Sequence, residues 1–129
     1  MQQYTSRHGR WITPMFFALA FYGFGAGMMD SFAMYPTWRM VGADEFAAFH
    51  KVAGTRIQLI FVLPLLIMTV FTVLLFWHRP VAVSRTLVWV ALIFTIIPWL
   101  SSALIQIPIQ TALDSGKDEI LLEKLILTD

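Results

Sequence analysis

Three stretches of the chain, residues 11–29, 57–77 and 86–110, contain no charged residue. A bilayer core of about 30 Å is crossed by about 20 apolar residues at 1.5 Å rise each. All three stretches therefore predict transmembrane helices. Trp11, Trp77 and Trp89 lie near their ends, where indole rings favour the membrane interface. The fold class predicted is all-α membrane protein, in one domain over residues 1–129. It has three spans, a loop helix at the interface, and a C-terminal amphipathic or partial fourth helix.

The connections differ in character. Residues 30–56 form a polar outer loop carrying Asp30, Arg39, Asp44, Glu45, Lys51 and Arg56. Residues 78–85 are short enough to make the second and third spans an antiparallel hairpin. Within the loop, Ala43 onward looks like a helix start, with Asp44 and Glu45 in the first turn, where acids favour the helix dipole. Phe46, Phe49, His50 and Ala53 share one face of it. Tyr35-Pro36-Thr37-Trp38, just before, reads as an extended or turn segment. In the tail, residues 111–129, Ile120, Leu121, Leu125 and more weakly Leu122 form the stripe of a short helix. The chain stops after a rising apolar run, which points to a fourth helix or a tail that packs on a partner.

Composition agrees with the lipid reading. The chain is 58% hydrophobic and 13% charged, with mean hydropathy +0.71; soluble domains hold about 25% charged residues. A net charge of +1 gives no basic patch for nucleic acid. The absence of cysteine removes disulfides and thiolate chemistry. Arg7 and Arg10 precede the first apolar run as in a signal peptide. That run ends without a small-x-small cleavage site, so it is read as a retained helix. Arg7, Arg10, Arg79 and Arg85 place the N-terminus and the hairpin turn in the cytoplasm and the long loop outside. The location implied is a bacterial inner membrane.

Candidate chemistry is confined to the membrane faces, because no Asp, Glu, Lys, Arg or His lies within a span. Thr95, Trp99, Ser102, Gln106 and Gln110 share one face of the third span; they form interhelical hydrogen bonds or line a small polar pocket near the outer face. The candidate ligand-binding residues are Trp38, Glu45, His50, Trp99, Gln106 and Gln110. Glu45 and His50 are five apart and are not neighbours on a helix. Gly23 and Gly27 make a small-xxx-small pair for helix packing. His8, His50 and His78 are too scattered for a metal site. No catalytic residue and no cofactor is named by any spacing.

Tyr35-Pro36-Thr37-Trp38, Glu45-Phe46, His50 and Pro64, with Trp99, Gln106-Ile107-Pro108-Ile109-Gln110, Leu113-Asp114-Ser115-Gly116 and Leu125, resemble the anthrone oxygenase-like family of small bacterial membrane proteins. The family is mostly of unknown function. The resemblance covers most of residues 20–128 and implies a four-helix bundle with an interfacial loop after the first helix. Its members often carry histidine where this chain has Gln110, and they usually continue into a further helix. The fungal relatives add oxygen to polycyclic phenols, an activity that Gln110 does not support carrying over. Two functions follow as expectations: a structural or accessory subunit of a larger membrane assembly, with lipid and other membrane subunits as partners, or a small membrane enzyme or binding protein for an apolar aromatic or quinone-like molecule.

Overall fold

The computed structural model describes residues 11–129. Arg7 and Arg10, used above for orientation, and His8 lie outside the described residues. Four helices follow one another: α1 over Ile12–Met40, α2 over Ala43–His78, α3 over Arg85–Leu113 and α4 over Glu119–Thr128. Among the described residues α1, α2 and α3 are long and apolar enough to cross a membrane. The fold is all-α, with a short fourth helix in the tail.

The segment read as an outer loop is nearly all helix. α1 continues past Asp30 to Met40, only Val41 and Gly42 intervene, and the helix expected from Ala43 runs without a break into the second span. Gly42 is extended, at φ −60° and ψ 148°, and starts α2. Tyr35–Thr37 is helical, not the extended or turn segment its Tyr-Pro step predicts. The reason is a widened turn. The Tyr35 N–H donates to the Asp30 carbonyl, five residues back, over the π-helical stretch Asp30–Met34. Proline has no N–H for the carbonyl four residues back, and the wider turn absorbs that mismatch.

The same device recurs twice. The Leu63 N–H bonds to the Gln58 carbonyl, just before Pro64, and the Ile107 N–H bonds to the Ser102 carbonyl, just before Pro108. Gly27 of α1 faces Phe61 of α2: a Cβ added at Gly27 would lie 3.8 Å from the Phe61 ring. The helices are antiparallel, so with Gly27 facing Phe61 the widened turn of α1 lies about one turn nearer the α4 end than that of α2.

Packing divides into two parts. At the α4 end Tyr35, Trp38, Phe46, Ala53, Ile109, Leu113, Leu122 and Leu125 form a buried core. At the hairpin end Ile12, Leu75 and Val88 form a smaller one. Between them the spans show apolar faces, including Phe21, Phe24 and Phe94. The larger of the two buried cores is the one at the α4 end. There Trp38, Phe46, Leu122 and Leu125 each contribute about 1.5–3 kcal/mol.

α4 closes this end. Gly116, at φ +146°, turns the chain after α3 in a conformation that favours glycine. Asp118 Oδ1 then accepts from the Ile120 and Leu121 N–H groups at 2.9 and 3.0 Å, capping α4. The buried stripe of α4 is Leu122 and Leu125, while Ile120, assigned to the stripe from sequence, is exposed. Lys117 Nζ donates to the Arg39 and Val41 carbonyls, 2.9 Å each, where α1 ends. Arg39 and Glu123 form a two-bond ion pair at 2.5 and 2.6 Å.

Candidate functional site

The α4-end core holds a polar chain drawn from three helices. α2 presents Phe46, His50 and Ala53 inward on one face. His50 is 3% exposed. Its Nδ1 lies 2.8 Å from Asp114 Oδ1 and its Nε2 lies 2.6 Å from Gln110 Oε1. The Gln110 amide nitrogen donates to the Tyr35 hydroxyl at 3.1 Å. Asp114 is mostly exposed, whereas Tyr35 is buried. The chain Asp114–His50–Gln110–Tyr35 thus runs from a water-facing carboxylate to a buried phenol.

The distances restrict the proton positions. A carboxylate only accepts, so Nδ1–H donates to Asp114. With the amide oxygen facing Nε2, that nitrogen donates as well, and the ring is an imidazolium. Turning the amide over presents its NH2 to an unprotonated Nε2 and its oxygen to the Tyr35 hydroxyl; the ring is then neutral. Ring charge, amide orientation and phenol direction are therefore linked.

Aromatic rings enclose the histidine. Phe46 stacks on it, with centroids 5.7 Å apart and planes at 22°. Trp38 meets His50 edge-on at 5.3 Å, and also meets Tyr35 at 4.9 Å and Phe49 at 5.8 Å. The Trp38 indole N–H is buried, with no hydrogen-bond partner among the described residues. An unsatisfied group of this kind costs about 1–3 kcal/mol.

Of the residues named from sequence, Trp38, His50 and Gln110 meet here. Gln106, one turn away on α3, accepts from Ser102 and donates to Asp129 at 3.1 Å, away from His50. Trp99 lies deep in the span, where its indole donates to Thr69 at 3.0 Å. About 16 Å of helix separates it from Gln110. Glu45 is exposed on the first turn of α2, with no side-chain partner among the described residues. Gly27 faces Phe61, but a Cβ on Gly23 would meet nothing within 4 Å, so only one of the pair packs closely. Thr72 and Thr95 bond back to their own helices, to the Met68 and Ala91 carbonyls at 2.8 Å. Tyr35 and Asp114 were not named as site residues. Asp114 continues the four-residue spacing of Gln106 and Gln110, a signal that would have found it.

Beside this cluster a groove of about 710 Å³ lies between α1 and α2. Phe21, Tyr22, Ala26, Phe49, Ile60 and Phe61 supply apolar wall, and Asp30 and Arg56 are its charged residues. Phe49 joins the two features, since it lines the groove and packs on Trp38. The Tyr22 hydroxyl is occupied: it donates to the Ile60 carbonyl at 2.7 Å. Comparison with protein-family models, curated proteins and solved structures finds no match to this chain.

Proposed function

We propose that this is a small membrane protein that binds a lipid-soluble molecule, taken sideways from the bilayer into the groove between α1 and α2. The observation that carries this reading is the groove itself. Its volume of about 710 Å³ falls within the range of ligand sites, about 300–1,000 Å³, and its apolar wall with few polar groups is typical of them. The aromatic walls suit an aromatic or quinone-like ring. The resemblance to anthrone oxygenase-like proteins belongs to the same proposal, as does a hairpin turn on the cytoplasmic side.

The second reading is an accessory subunit of a larger assembly. The bare apolar faces of the spans and the open space at Gly23 favour it. Lipid covers such faces equally well, so it ranks behind the first.

The test uses the full chain in nanodiscs. Decylubiquinone, a soluble quinone probe, is expected to quench tryptophan fluorescence in a saturable manner. Gly25 lines the groove and has open space around its Cβ position. Gly25→Leu should obstruct the groove and weaken the saturable component while leaving helicity unchanged. Quenching that is linear in both proteins would end the proposal.

A further inference from the structure

The groove has a polarity that its volume alone does not convey. Asp30 closes the charge-free stretch of α1, and Arg56 immediately precedes that of α2. Both line the groove. Gly27 lies opposite Phe61, so one turn toward the α4 end brings Asp30 and Arg56 to a common level. That level is where uncharged helix ends on both sides, hence where lipid head groups lie. Neither side chain has a hydrogen-bond or ion-pair partner among the described residues.

The depth of the groove fits this placement. From Asp30 back to Phe21, the deepest wall residue of α1, the helix descends about 13 Å at about 1.5 Å per residue. Half of a hydrocarbon core of about 30 Å is about 15 Å. Below the two charges the groove therefore follows one leaflet, the path of an acyl chain. At their own level two opposite charges line the same space, and the Asp129 carboxylate lies close enough to Asp30 to act on it.

We infer that the groove is a phospholipid site selective for a zwitterionic head group, with the ammonium on Asp30, the phosphate on Arg56 and one acyl chain along the wall from Ala26 to Phe21. A guanidinium matches phosphate geometry by paired N–H donors. A carboxylate accepts from an ammonium. An anionic head group with no ammonium gains the Arg56 contact but meets repulsion from Asp30. This inference rests on reading the groove as a ligand site and names the lipid that occupies it; an uncharged quinone uses only the apolar walls and competes for them.

Native mass spectrometry of the full chain, released from micelles containing phosphatidylethanolamine, phosphatidylglycerol or diacylglycerol, tests this. Phosphatidylethanolamine should be retained one to one, over phosphatidylglycerol by about tenfold or more, the size of one charge-assisted hydrogen bond. Arg56→Gln should lose both phospholipids, and Arg56→Lys should recover part of the binding. Asp30→Asn should bring phosphatidylglycerol up to the level of phosphatidylethanolamine. Gly25→Leu should weaken retention of lipid and of decylubiquinone together. Equal retention of the two phospholipids by the unaltered protein, or no effect of Arg56→Gln, overturns the head-group assignment and leaves quinone binding standing. If Gly25→Leu changes neither lipid nor quinone binding, the groove is not a site at all.

Discussion

The hydroxyl of Tyr22 donates to the carbonyl of Ile60 across the α1–α2 interface, at 2.7 Å. Ile60 lies four residues before Pro64, so its carbonyl lacks the N–H that a regular helix would provide. A residue on one helix thus repairs a backbone defect that proline makes in the other.

The first prediction concerns this pair. In a membrane such bonds are worth about 0.6 kcal/mol on average and up to about 1.7. Tyr22→Phe should lower stability by about 1 kcal/mol in unfolding titrations in bicelles. In a Pro64→Ala background, where residue 64 regains its N–H, the same substitution should have little effect. Additive losses in the double-mutant cycle would show that the two residues do not act on one carbonyl.

The second concerns the seat of α4. Leu122→Ala and Leu125→Ala remove fully buried side chains, and each should cost about 2–5 kcal/mol. Ile120→Ala, on the exposed side of α4, should stay within about 0.5 kcal/mol. Limited proteolysis near residues 115–118 should report the loosening. Comparable sensitivity in all three variants would contradict the observed face.

Acid should loosen the same helix. The Arg39 guanidinium bonded to Glu123 holds its carboxyl below the ordinary value of 4.5. A lowered folded value means that stabilisation is present above the ordinary value and is lost as pH falls through the lowered one. Hydrogen exchange of the α4 amides should therefore gain an acid-dependent component below pH 4.5, and Glu123→Gln should remove that component. Asp129 has the opposite sign: burial raises its carboxyl, only partly offset by the Ser31 hydroxyl. Asp129→Asn should therefore make the Glu123 response steeper. A profile that Glu123→Gln leaves unaltered would exclude the ion pair as its source.

The polar chain makes a spectroscopic prediction. Gln110→Leu takes away the partner of His50 Nε2 and of the Tyr35 hydroxyl. Nδ1–H should then keep its bond to Asp114 while Nε2 loses its partner. Nitrogen-15 shifts of the imidazole read this directly, and thermal unfolding should show a loss of about 1–3 kcal/mol for the buried groups left unpaired. Unchanged imidazole shifts would mean that the amide does not govern the ring.

The spans were legible because lipid sets a simple rule: uncharged for about 20 residues. His50, Trp38 and Gln110 were legible because polar or amphipathic groups at the end of an apolar face need partners. Helical continuity through residues 30–56 was hidden. Pro36 and the charges around it read as a loop, and nothing local announces the five-residue hydrogen bond that keeps α1 going. Glu45 and Trp99 joined the candidate list by chemical type, and the geometry places them elsewhere. The Arg39–Glu123 and Lys117–Val41 contacts join residues 84 and 76 positions apart, so no periodicity reveals them.

Each widened turn amounts to one residue inserted into a regular helix. One residue corresponds to about 100° of rotation, so beyond each insertion the angular phase of the side chains is reset. α1 resets about one turn nearer the α4 end than α2, and α3 resets along its own course toward the same end of the bundle. Each of these helices can therefore turn one side to lipid in its membrane half and a different side inward at the water boundary. A single heptad wheel drawn over a whole helix would merge the two halves, and excising one residue from a widened turn would swing the face beneath the α4 cap out of alignment.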